Sequence, residues 1–132
     1  MKQALMLVAA LALVGAPALS QPQRGGDLAA EAAAAAEALQ DQLPMRADDV
    51  TTAISVRAIG TEFVYDMQLS EVVPVDRLEE RQQLIQGRNE IRMCEGEAGA
   101  FIRRGGSMRH IYTDRGGHVF ETRVARCPDV AK

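Results

Sequence analysis

Cys94 and Cys127, the only two cysteines, enclose the stretch that most narrows what this chain can become. Between them runs Arg109-His110-Ile111-Tyr112-Thr113-Asp114-Arg115-Gly116-Gly117-His118-Val119-Phe120-Glu121-Thr122-Arg123-Val124, two alternating segments around an Asp-x-Gly-Gly turn. Alternation broken by such a turn reads as a β-hairpin. If Arg115, Gly116 and Gly117 form a three-residue loop with Gly117 left-handed, then Asp114 pairs with His118, Tyr112 with Phe120, His110 with Thr122 and Met108 with Val124. A two-residue loop would set Tyr112 against Val119 and Ile111 against Phe120. That divides the apolar groups between both faces, which is unfavourable where only one face is buried. The three-residue loop is therefore expected.

The start of the chain points to export. Lys2, an apolar run from Leu5 to Val14 and small residues at Ala18 and Ser20 make up a secretory signal peptide over 1–20. Cleavage is expected after Ser20, with Ala18 the alternative. The run is too short for a permanent membrane span. About 112 residues remain, enough for one domain with a modest core. Gln21 to Gly26, with its Pro and Gly, reads as a loose lead-in to a single domain over 27–132.

In an exported chain the two cysteines are expected to be joined. Closing a loop of roughly 33 residues restrains the unfolded chain by about 3.5 to 4 kcal/mol in the entropy treatment. Their wide spacing matches no thiol-redox or zinc pattern.

The formal net charge is −3, and losing Lys2 makes it one unit more negative. Acids dominate up to Gly87 and bases from Arg88 onward, as in two complementary halves of one domain. The acidic total, the expected compartment and the lack of aromatics among the arginines argue against nucleic acid.

Asp27 can cap a helix from Leu28 to about Gln42, with Leu28, Ala32, Ala35, Leu39 and Leu43 at helical spacing and Pro44 as the stop. Ile54, Val56 and Ala58 alternate with Ser55 and Arg57, and Phe63, Tyr65, Met67 and Leu69 alternate with Glu62, Val64, Asp66 and Gln68. These are two half-buried strands joined near Gly60. After Pro74 comes a helix from about Val75 to Cys94, with Leu78, Leu84, Ile85, Ile91 and Cys94 on or near one side. Gly87 within it suggests a kink or a close approach to the sheet. A short helical turn around Ala98 to Arg103 delivers the chain to the hairpin. The order helix, strand, strand, helix, strand, strand predicts an α+β domain, a four-stranded antiparallel sheet with helices on one face.

Leu43-Pro44 followed by Thr51-Thr52-Ala53, Gly60 then Phe63-Val64-Tyr65-Asp66-Met67, Cys94, a glycine before the third strand, Tyr112-Thr113-Asp114-Arg115-Gly116-Gly117 and a closing Cys127 form a recognisable succession. It resembles small secreted bacterial proteins described as quorum-sensing-regulated virulence factor-like, over nearly the whole mature chain. The resemblance implies an α+β fold with one disulfide, a periplasmic or secreted location and a link to virulence or envelope physiology. It brings no catalytic residues.

The residues themselves offer little for catalysis. His110 and His118, the two histidines, would lie about 13 Å apart at roughly 3.4 Å per residue, too far to share a metal. Asp114 suits the fixing of its own turn. No phosphate loop, calcium loop or nucleophile motif occurs, and no cofactor is implied. The sheet face turned from the helices offers Arg57, Val64, Arg109, Ile111, Val119 and Arg123 as a candidate binding surface for a protein or envelope component, or for a second copy of the chain. The alternative is a small-ligand or hydrolytic site between sheet and helices, near His110, Tyr65 and Tyr112.

Overall fold

The computed structural model describes residues 24–128. The signal peptide expected over 1–20 lies outside the described residues. Five strands, β1 (Met45–Arg46), β2 (Thr51–Ile59), β3 (Glu62–Leu69), β4 (Ser107–Thr113) and β5 (Val119–Val124), stand side by side in sequence order. Helices α1 (Arg24–Gln40), α2 (Leu78–Glu95) and α3 (Glu97–Arg103) complete an α+β fold.

Two features of the sheet correct the sequence expectation. There are five strands rather than four, because the chain leaving α1 adds the two-residue β1 beside β2, with Met45 against Ala53 and Arg46 against Thr52. A pair that short leaves no periodicity to read. The sheet is also mixed: β3 and β4 are parallel, Tyr65 opposite His110 and Met67 opposite Tyr112. The crossover through α2 and α3 returns the chain to the starting end of β3, which a tight hairpin cannot do.

The hairpin follows the expected register. Tyr112 faces Phe120, His110 faces Thr122 and Met108 faces Val124, and the Asp114 N–H donates to the His118 carbonyl at 3.0 Å. Gly117 sits at φ 90°, the left-handed region that a side chain would strain.

Strand pairing aligns three rows of side chains on the covered face. They are Ala58, Phe63, Met108 and Val124; then Val56, Tyr65, His110 and Thr122; then Ala53, Met67, Tyr112 and Phe120. A β-bulge at Ile54 shifts the β2 register between Ala53 and Ser55. Ile54 itself is left exposed, contrary to its place in the expected alternation. One extra residue turns a strand by half its period, which explains the change of side.

Helix α1 is described from Arg24, so Asp27 lies within it rather than capping it from outside, and Arg24 to Gly26 are helical rather than part of a loose lead-in. Leu28, Ala32 and Ala36 are buried along it. Gln40 at its end accepts the Val56 N–H at 2.9 Å, fastening helix to strand. In α2 the buried residues are Ile85 and Asn89, while Leu84 and Ile91 point outward and are 65% and 60% exposed. Ile85 and Asn89 are four apart and share a face, whereas Leu84 and Ile91, seven apart, mark another. Asn89 donates to the Tyr112 hydroxyl at 2.9 Å and the Thr122 hydroxyl at 3.0 Å, which makes a polar residue suit a core position. Gly87 neither breaks α2 nor meets the sheet, since nothing lies within 4 Å of where its side chain would start.

Cys94 and Cys127 are bonded, with Cα atoms 5.5 Å apart, joining the end of α2 to the segment after β5. Both pack against the cluster of Ala32, Phe63, Ile102 and Met108.

Candidate binding surface

The face opposite the helices is organised in rows by the same strand pairing. Arg57, Val64, Arg109 and Arg123 form one row, and Ser55, Asp66, Ile111 and Glu121 form the next. Pairing thus brings five of the six candidates into two adjacent rows. Val119 stands one row further, opposite Thr113.

None of the three arginines is a free cation. Arg57 pairs with Asp66 at 2.7 Å, and Asp66 also accepts from the Ser55 hydroxyl at 2.6 Å. Arg109 reaches Glu62 at 3.2 Å and Glu121 at 3.6 Å. Arg123 bonds the second oxygen of Glu62, which also accepts from Ser107 at 2.9 Å. Burial works to raise the Glu62 carboxyl, but the hydrogen bonds from Arg123 and Ser107 and the charge of Arg109 outweigh it, so it stays below its ordinary 4.5. The three bases and three acids of this lattice form ion pairs with one another, although Arg109 Nε has no hydrogen-bond partner among the described residues. Arg109 lies directly opposite Arg123, and Glu62, paired with both, offsets the repulsion of like charges across the strands.

The apolar candidates separate. Val64, on the central strand between Arg57 and Arg109, is 2% exposed and belongs with the packed residues rather than with accessible surface. Ile111 is half-buried. Val119 is 60% exposed, next to a turn whose geometry Asp114 fixes.

The covered face holds the other residues singled out in the sequence. His110 is stacked on Tyr65, ring centroids 5.0 Å apart, with Tyr112 at 6.2 Å on its other side. Burial pushes its pKa down to about 4, so it is a neutral imidazole at pH 7, and its Nδ1 has no hydrogen-bond partner among the described residues. A ring so placed serves packing rather than proton transfer. His118 Nδ1 lies 2.9 Å from the Asp114 carboxylate, a pairing within the hairpin turn. A cleft of about 360 Å³ lies between sheet and helices and reaches Tyr65, but neither His110 nor Tyr112 lines it. A second, larger groove of about 960 Å³ runs beside the disulfide, past Ile91, Ala100 and Pro128. Among the described residues no group of three or more His, Cys, Asp or Glu could hold a metal, and no helix is long and apolar enough to cross a membrane.

Sequence reasoning missed the role of Gln82 and Gln86. Gln86 accepts the Arg123 N–H at 3.0 Å and donates to the Arg123 carbonyl at 2.8 Å, and Gln82 donates to the Glu121 carbonyl at 3.1 Å. These amides stand in for a sixth strand along the β5 edge, a way of blunting an exposed edge. Their spacing of four residues on one helix was the available signal.

Among the described residues the fold defines a class of one-disulfide α+β domain in which three helices accompany a five-stranded, mostly antiparallel sheet. The same fold occurs in a candidate secreted protein of Pseudomonas aeruginosa (TM-score 0.64, 9% identity, 80% of this chain and 95% of the other). It also occurs in the pilotin EpsS of the Vibrio vulnificus type 2 secretion system (0.62, 14%, 79% and 93%). A third example is the type II secretion system pilotin AspS of Vibrio cholerae (0.61, 17%, 77% and 92%). No protein-family model and no curated protein sequence matches the chain.

Proposed function

We propose that this chain is an exported, noncatalytic domain that holds another envelope protein against its open sheet face. The observation that carries the reading is Val119, 60% exposed, in the row beside half-buried Ile111 and the paired charges around it. Protein interfaces combine apolar groups with polar surroundings, and here Val119 and Ile111 adjoin the paired charges at the β5 side of the face. Because its ion pairs are internal, a partner need not bring compensating charge. The Cys94–Cys127 bond supports a compartment outside the reducing cytosol. The fold shared with two pilotins supports a partner within a secretion system. The virulence-factor-like resemblance fits the same setting.

Crosslinking capture from envelope extract tests this with Ile111→Asp and Val119→Asp. Val119→Asp is expected to melt within about 3 °C of the parent. Ile111→Asp, whose carboxylate would stand between Asp66 and Glu121, is expected to be less stable, and both are expected to lose the captured protein. Full capture by a folded Val119→Asp protein would overturn the assignment of this face.

A further inference from the structure

The cleft of about 360 Å³ between α1, α3 and the covered face of the sheet has a chemistry of its own. Phe63, Tyr65 and Phe101 line it, with the Phe63 and Phe101 rings 5.0 Å apart and those of Phe63 and Tyr65 6.5 Å apart. The space exists because small residues bound it. Ala32 and Ala35 meet it from α1, where longer side chains would fill it. Gly106, which does not line the cleft, gives the Phe101 wall its place, since a side chain added there would collide with the Phe101 ring.

Two carboxylates stand at the walls, Glu31 and Glu97. Glu31 is already engaged, because Arg104 forks onto its two oxygens at 2.8 and 3.0 Å. Glu97 is exposed and paired with no described residue. Among the described residues no basic side chain lines the cleft. Aromatic faces and a free carboxylate both favour positive charge, and apolar walls favour a hydrocarbon body. An anionic ligand would meet acids and no base.

We propose that this cleft binds a small aryl- or alkylammonium ligand. Its apolar part lies among Phe63, Phe101 and Met108, and its ammonium is held between Glu97 and the Tyr65 ring. This site is independent of the sheet face, so either can fail without the other.

The test is an NMR titration of the intact protein with phenethylammonium and with its neutral counterpart 2-phenylethanol, following the Phe63, Tyr65 and Phe101 ring signals and the Ala35 methyl. The ammonium is expected to saturate these shifts and to bind about tenfold more tightly than the alcohol. Glu97→Gln is expected to remove that preference while leaving alcohol binding unchanged, and Ala35→Leu to abolish binding of both. If Ala35→Leu disturbs the fold, the Glu97→Gln comparison decides alone. Equal affinity for the two probes, a preference that survives Glu97→Gln, or no shifts at the cleft would each overturn the proposal.

Discussion

The buried carboxylate of Asp114 accepts a hydrogen bond from the Val73 N–H at 2.8 Å, across 41 residues of sequence. Its other oxygen accepts the N–H groups of Gly116 and His118, each at 2.8 Å. One side chain therefore shapes the hairpin turn and clamps it to the segment that leaves β3, and the Arg115 N–H adds a bond to the Glu71 carbonyl at 3.0 Å.

Asp114→Asn keeps the shape but replaces an acceptor with a donor facing N–H groups. It is expected to lower the melting temperature by several degrees and to speed amide exchange at Val73, Gly116 and His118. Burial acts to raise the Asp114 carboxyl, yet the bonds from Val73 and His118 prevail and hold it well below its ordinary 3.8. A carboxyl depressed on folding stabilises above its unfolded value, so this contribution is present above pH 3.8 and is lost as pH falls below it.

His110 acts in an adjoining pH range. Its pKa falls from 6.5 to about 4 on burial, so the unfolded chain takes up the proton first. Stability is complete above pH 6.5 and declines as pH drops toward 4, a loss on the order of 3 kcal/mol at about 1.4 kcal/mol per unit. Urea midpoints across that range check it. His110→Phe is expected to flatten the decline there while leaving the further loss at lower pH that Asp114 governs.

Gln86→Ala removes the two hydrogen bonds to the Arg123 backbone. The expected cost is about 1 kcal/mol, together with greater self-association as the β5 edge is uncovered. Urea unfolding and light scattering read the two effects separately. A variant as stable and as monodisperse as the parent would deny Gln86 this role.

Replacing Cys94 and Cys127 together with serine is expected to cost about 2 to 4 kcal/mol. Reductant should lower the melting temperature of the parent and leave the double variant unmoved. Identical melting of the parent with and without reductant would remove the bridge from the account of stability.

The hairpin was the most legible part of the chain, because turn chemistry and one-sided burial together allowed a single register from Met108 to Val124. The candidate surface was legible as a face but not as a set of accessible groups. Alternation placed Val64 correctly, yet it carries no information about its 2% exposure. Leu84 and Ile91 misled because they were assigned to one side with Ile85, although polar Asn89 is the residue that shares its buried face. A polar side chain whose partners come from β4 and β5 cannot be recognised from α2 alone. The same nonlocality hid the parallel pairing, since strand direction depends on where a crossover returns the chain.

The bond between Cys94 and Cys127 reaches past α3, β4 and β5. A protease that cleaves once within that interval therefore opens the polypeptide without releasing a fragment. The severed pieces travel as one molecule until a thiol separates them.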